Sequence, residues 1–214
     1  MLEVKSIDVS IGPVTVLRGV SIDVPTGAMV GIVGRNGAGK TTLIRSIMGL
    51  IRLRGGAITF EGSDLVAMPA HGRTKLGIGF APEDRRLVPE LTVEENLLIP
   101  RWALDDRDPQ ARLDVVYTLI PEAREFRSRR ALQLSGGQQK LVAIGRALMT
   151  GTNLLLLDEP FEGVAPALSK RIADVVSALR PQGLSIVLSG ADLQHAGTGL
   201  DRVYRIDRGQ IVTE

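Results

Sequence analysis

The chain has 214 residues, 44% of them hydrophobic, with 24 glycines and a formal charge of +2. That suits one substantial α/β domain with many tight turns; the sequence pI of 9.2 leans basic, but so small a net charge does not by itself call for nucleic acid. The absence of cysteine excludes a disulfide framework and a thiolate metal site. No apolar run approaches the roughly 20 residues a membrane-spanning helix needs.

Residues 1–33 read as strands. Met1-Leu2-Glu3-Val4-Lys5-Ser6-Ile7-Asp8-Val9 alternates with period two and lacks the apolar block of a signal peptide. Turns fall at Gly12-Pro13 and Pro25-Thr26-Gly27, and Met29-Val30-Gly31-Ile32-Val33 has the character of a buried strand. It feeds Gly34-Arg35-Asn36-Gly37-Ala38-Gly39-Lys40-Thr41, which fits the phosphate-binding pattern G-x-x-x-x-G-K-[ST]. A helix from Thr42 to Met48 follows, with Leu43, Ile44 and Ile47 on one face and Gly49 closing it. Strand, glycine loop and helix aim successive backbone N–H groups at phosphate oxygens, and the helix N-terminus adds partial positive charge. Lys40 can reach the β- and γ-phosphates and the Thr41 hydroxyl can ligate Mg²⁺, so Gly34 through Thr42 form a nucleotide-phosphate site.

Further along come the strand-like Ala57-Ile58-Thr59-Phe60, a turn at Glu61-Gly62, and the run Leu76-Gly77-Ile78-Gly79-Phe80, which stops at Ala81-Pro82-Glu83-Asp84-Arg85-Arg86. Thr92 and Glu95 make a T-x-x-E capping box, predicting a helix from Val93. Residues 93–132 are mostly helical in character, carry the charged segment Asp105-Asp106-Arg107-Asp108-Pro109, and read as a lobe inserted into the α/β core. Most of their charges read as solvated surface.

Leu134-Ser135-Gly136-Gly137-Gln138 opens the next helix, with Leu141, Ile144 and Leu148 on one face and a second capping box between Ser135 and Gln138. Capping does not explain Gly136-Gly137, which costs roughly 1 kcal/mol per glycine against alanine. Bare backbone at a helix N-terminus suits the close approach of an anion, making a second candidate phosphate contact. Leu154-Leu155-Leu156-Leu157 then reads as a buried strand with Asp158 and Glu159 at its C-terminal end, where open α/β sheets bind ligands. Beside a phosphate loop, that pair fits Mg²⁺ coordination by Asp158 and water activation by Glu159. An amphipathic helix from Pro166 to Arg180, a core strand from Leu184 to Leu188, and a hairpin of Arg202–Ile206 with Gln210–Thr213 complete the chain.

With the phosphate loop, Leu134–Gln138 and the Leu-run-Asp158-Glu159 in this order, the chain resembles the ATP-binding subunit of ABC transporters along its whole length. Pro82–Arg86, Pro89–Leu97 and Ala143–Leu148 look like the branch serving importers of branched-chain amino acids and related amides or urea. The resemblance implies an α/β fold: a P-loop NTPase (RecA-like) core with an N-terminal antiparallel β subdomain and an inserted helical subdomain. Residues 1–83 and 150–214 would form the core with its β subdomain, and about 84–149 the helical subdomain ending in the signature helix. It further implies ATP and Mg²⁺ as ligands, with Glu159 catalytic, Thr41, Asp158 and Glu83 about the metal, and Ile11 at the base. Ser135, Gly136, Gly137 and Gln138 would contact ATP bound by a second ATPase subunit, identical or related, paired head to tail. Membrane permeases, and indirectly a solute-binding protein, are the other implied partners, at the cytoplasmic face of the membrane; nucleic acid is not among them.

Four positions depart from the common family pattern. Glu83 stands where most members have glutamine and Ala165 where many have aspartate; the favoured branch accommodates both. Ile11 replaces the aromatic that usually stacks on adenine, forfeiting about 1 kcal/mol. Ala191 falls where a histidine usually contacts the γ-phosphate, and His195, four residues on, does not inherit that role. The expectation is retained ATP binding with slow hydrolysis in the isolated subunit. Two alternatives stay open: a regulatory ABC-like subunit that closes on ATP yet barely hydrolyses it, and a soluble ABC ATPase of DNA repair or translation. The latter usually needs a long coiled-coil insertion or a second fused unit, for which 214 residues leave no room.

Overall fold

The computed structural model describes residues 1–106, 108–194 and 199–212. Arg107, His195 and the Thr213 end of the closing hairpin lie outside the described residues. The amino-terminal hairpin, β1 (Leu2–Ile11) and β2 (Val14–Val24), turns at Gly12-Pro13 as expected. β4 (Gly55–Phe60) pairs with the other side of β1, and β5 (Ser63–Asp64) completes an antiparallel sheet in the order β2-β1-β4-β5. The alternation in β1 is not continuous. Leu2 and Val4 are buried, then Ile7 and Val9, because the register slips between Val4 and Ile7 and Ser6 takes φ 46°. This bulge moves the buried set by one residue and keeps both halves of β1 on the core face.

The second sheet runs β10-β9-β3-β8-β7-β6. Its strands are β3 (Met29–Val33), β6 (Ile78–Ala81), β7 (Leu154–Leu157), β8 (Ser185–Gly190), β9 (Arg202–Asp207) and β10 (Gln210–Val212). Every pairing is parallel except that of the terminal β10 with β9. All residues of β7 and β8 are buried, which matches their unbroken apolar runs in a sheet covered on both faces. β6 starts two residues later than the run at Leu76 suggests. Gly77 has φ 79° and its carbonyl accepts the amides of Thr152, Asn153 and Leu154, so it launches β7 rather than joining β6.

Helix α1 (Lys40–Ile47) also begins two residues before its expected start, taking Lys40 and Thr41 into its first turn. Its C-terminus closes through Gly49 N–H to Ser46 O and Leu50 N–H to Arg45 O, 3.0 and 2.9 Å. Arg73, on the short α2 (Ala70–Thr74) and 4% exposed, donates to the carbonyls of Ser46, Ile47, Leu65 and Met68. A buried guanidinium thus satisfies the last carbonyls of α1 and faces its negative pole.

Helices α3 (Val93–Trp102), α4 (Gln110–Leu119) and α5 (Pro121–Glu125) occupy the segment read as helical. α6 (Gly136–Leu148) then packs against α3, α5 and β6. Both capping boxes form: Thr92 with Glu95 on α3, and Ser135 with Gln138 on α6. α7 (Pro166–Leu179) buries Ile172, Val175, Val176 and Leu179 as its periodicity requires. Two cores result, one joining α1 and β3 to the antiparallel sheet, the other gathering α3–α7. With β8 between β3 and β7, the loops leaving β3 and β7 emerge at one edge on either side of the end of β8.

Candidate active site

The loop from Gly34 to Gly39 turns through Gly37 at φ 79° and Gly39 at φ 114°, conformations L side chains rarely adopt. A Cβ on Gly39 would also come within 2.7 Å of Leu17 Cδ2. Gly209, in the β9–β10 turn, donates to Ala38 O at 2.9 Å and accepts from Arg18 N–H at 2.8 Å, clamping the loop to β2. Lys40 folds back over it. Its ammonium, 3% exposed, donates to Gly34 O at 2.7 Å and Arg35 O at 3.1 Å and pairs with Glu159 Oε1 at 2.9 Å. Three donors therefore meet three acceptors, the condition for burying an ammonium.

Asp158 and Glu159 leave β7 beside this loop. Asp158 is 1% exposed, and its Oδ1 accepts from Thr41 Oγ1 at 3.1 Å and Ser189 Oγ at 2.8 Å. Its Oδ2 is buried with no hydrogen-bond partner. Burial pushes the Asp158 carboxyl up from its ordinary pKa, against the hydrogen bonds from Ser189 and Thr41. Glu159, at φ 51°, donates its amide to Ser189 Oγ at 3.0 Å. Burial and then a hydrogen bond to Glu162 push its carboxyl up to about 7, while Lys40 pulls it down. The same bond holds Glu162 below its ordinary value, so the two acids titrate as a pair. Asn36 Nδ2 reaches Glu162 Oε1 at 3.5 Å, linking the phosphate loop to this turn.

Ser135, Gly136, Gly137 and Gln138 lie elsewhere. They line a cleft of about 580 Å³ together with Glu83, Arg85, Lys140 and Glu162–Ala165, and no residue of Gly34–Thr42 borders it. The capping box engages the amides of Ser135 and Gln138, at 2.9 and 3.3 Å, and the amides of Gly136 and Gly137 begin the helix. A Cβ on Gly136 would meet Arg85 Nη1 at 2.9 Å and one on Gly137 would meet Leu168 Cδ2 at 2.7 Å. Both are ends of movable side chains, so packing alone only mildly demands glycine. Arg85 donates to Gly136 O at 3.2 Å, and Arg146 on α6 donates to the carbonyls of Arg85 and Arg86, both at 2.7 Å. The loop carrying Glu83 is thereby strapped to the signature helix. Glu83 itself is exposed in this cleft, apart from the Thr41–Asp158 pair.

A family profile described as "ABC transporter" matches residues 17–162, spanning the phosphate loop, the signature pentapeptide and the acidic pair. The chain belongs to the ABC transporter family. It is an ABC-type ATPase, and its relatives span more than one kind of transport. The high-affinity branched-chain amino acid transport ATP-binding protein BraG of Pseudomonas aeruginosa is 38% identical over 99% of this chain and 91% of its own length. The lipopolysaccharide export system ATP-binding protein LptB of Haemophilus influenzae is 35% identical over 92% and 83%. Among solved structures, a nucleotide-free ATP-binding cassette from an ABC transporter aligns with a TM-score of 0.87 at 31% identity, covering 100% of this chain and 90% of that one. The fold is therefore the α/β P-loop NTPase fold expected from the sequence.

In this ABC ATPase three side chains at the site escape the motif reading: Ser189, Glu162 and Lys140. Ser189 ends the apolar Ile186-Val187-Leu188 run and bridges Asp158 to the Glu159 amide. A lone hydroxyl closing a buried strand is the signal that could have found it. Lys140 donates to the carbonyls of Glu159 and Glu162 at 2.6 and 3.0 Å. Ile11 ends β1 opposite Val14 and is 53% exposed, and Ala191 is exposed just beyond β8. The donor chemistry suits Mg²⁺: the Thr41 hydroxyl and the unpartnered Asp158 Oδ2 are hard oxygen donors. Among the described residues no helix is long and apolar enough to cross a membrane.

Proposed function

We propose that this chain is the ATP-hydrolysing subunit of an ABC importer, taking up branched-chain amino acids or related amides. The observation that carries the ATPase chemistry is the buried cluster of Lys40, Thr41, Asp158, Glu159 and Ser189, assembled from three strand ends. Full-length similarity to BraG, and the Pro82–Leu97 and Ala143–Leu148 segments, favour the importer assignment. Two subunits pair head to tail, each ATP lying between one phosphate loop and the partner's Ser135–Gln138. The helical segment of about residues 84–149 meets a permease, placing the subunit at the cytoplasmic face of the membrane.

Chemically, the loop amides and Lys40 bind the triphosphate charge, and Lys40 exchanges Glu159 for phosphate oxygen. That exchange frees the Glu159 carboxylate to accept a proton from the attacking water. The water oxygen bonds to the γ-phosphorus, and the bridging P–O bond breaks with its electrons leaving on ADP. Thr41 and, through Oδ2, Asp158 would hold Mg²⁺, with Glu83 brought in on closure; the ion neutralises developing phosphate charge when bound. Ala191 offers the γ-phosphate only a methyl group, so turnover of the isolated subunit is slow.

Glu159→Gln tests the reading: ATPase activity of the purified chain disappears and ATP drives it into a stable dimer on size exclusion. Unchanged turnover overturns hydrolysis by Glu159. A second reading, a regulatory subunit that closes on ATP without hydrolysing it, draws on Ala191; there Glu159→Gln changes nothing because wild type has no turnover to lose.

A further inference from the structure

Lys140 stands two residues beyond the signature pentapeptide, yet its side chain turns inward and is only 7% exposed. Its two bonds go to the carbonyls of Glu159 and Glu162, 2.6 and 3.0 Å away. Glu162 N–H in turn bonds Glu159 O at 3.3 Å, so one ammonium clasps both ends of the turn that begins with the water-activating acid. Glu159 holds φ 51° there, a left-handed conformation that is unfavourable for a non-glycine residue and persists only where neighbours over-determine it. Ser189 grips its amide side and Lys140 its carbonyl side. Burial lowers the Lys140 pKa and Arg85 adds to this, while Glu83, Glu162 and Glu159 oppose it. The lysine thus sits in the common field of the Glu83 loop, the signature helix and the acidic turn. Helix packing alone would favour an apolar residue at this depth, because a buried ammonium is costly until its donors are satisfied.

We propose that Lys140 is a positioning residue for hydrolysis, fastening the Glu159 turn to the signature helix so that the helix touching one ATP sets the base that serves the other. This rests on the head-to-tail reading above. In that arrangement α6 touches the γ-phosphate held by the partner, while Glu159 acts on the ATP of its own loop. A shift of α6 on closure travels through a single ammonium to the Glu159 carbonyl, coupling the two sites without any change in how either loop binds nucleotide.

Lys140→Met, of similar length but with no donor, tests this in the full-length chain by steady-state ATPase kinetics and by binding of a fluorescent N-methylanthraniloyl ATP. The expected result is a kcat lowered on the order of 10- to 100-fold. KM and analogue affinity should hold within about 2-fold, and the Hill coefficient for ATP should drop to the non-cooperative limit. Wild-type kcat and cooperativity in Lys140→Met overturn the proposal, and so does a parallel loss of analogue binding and turnover, the mark of a merely structural lysine. If the methionine variant fails to fold, Lys140→Gln decides. It keeps a donor on a shorter stem, and kcat reduced about 3- to 10-fold at unchanged KM supports positioning, whereas wild-type kcat overturns it. Failure of the underlying reading is distinguishable, because then wild type lacks cooperativity or Glu159→Gln retains turnover.

Discussion

In the proposed reaction Glu159 must be ionised to take a proton from water, and its surroundings oppose that. Burial and the bond to Glu162 raise its carboxyl to about 7, with Lys40 drawing it down. Because kcat/KM reports groups of the free enzyme, and a protonated Glu159 is inactive as a base, kcat/KM should fall as pH drops through about 7. Glu162→Gln removes the carboxylate that accepts the bond from protonated Glu159, so that limb should move to lower pH. A pH–rate profile of both proteins checks this, and an unmoved limb would sink it. Lys40, Thr41, Asp158 and Glu159 were legible in the sequence because their motifs carry the chemistry locally. Ser189 and Lys140 were not, since each matters only through a partner some 20 to 30 residues away.

The secondary-structure elements divide along the same line. Both capping boxes form where the sequence places them, because the bonds span only three residues. The bulge at Ser6 and the late start of β6 depend on neighbouring strands, and period-two alternation does not encode them. Arg73 is the clearest case of an element held from outside. Its guanidinium serves carbonyls at the end of α1 and in the loop between β5 and α2, and nothing in its local sequence marks it for that task. Arg73→Met should destabilise the protein by about 2–4 kcal/mol, since it leaves several buried carbonyls without a donor. Chemical denaturation measures this, and a change within experimental error would mean that water replaces the guanidinium.

For the molecule as a whole, the phosphate cluster and the signature cleft are separate places on one chain, joined through Asn36, Glu162 and Lys140. In the proposed head-to-tail pair, two complete sites would form from these halves. Ser135→Glu puts a carboxylate where the partner's γ-phosphate belongs. It should abolish ATP-driven dimerisation and lower turnover more than about 100-fold, while analogue binding to the phosphate loop stays near wild type. Size exclusion in the Glu159→Gln background measures dimerisation; a dimer that still forms would place the signature helix outside the interface.

The sequence by itself determined the phosphate loop, the acidic pair, the two helix starts marked by capping boxes and the family, because each is written in short-range patterns of residue type. Only the tertiary structure decided that β8 lies between β3 and β7 and brings Ser189 between Asp158 Oδ1 and the Glu159 amide. It also decided that Lys40 is held by Glu159 and that Lys140 reaches the turn following β7. The reason is strand order. Parallel strands adjacent in space are distant in the chain, so a contact between their ends leaves no period or spacing in the sequence to read. The loop from Gly34 to Thr41 is a local motif, whereas the site around it is a product of the sheet.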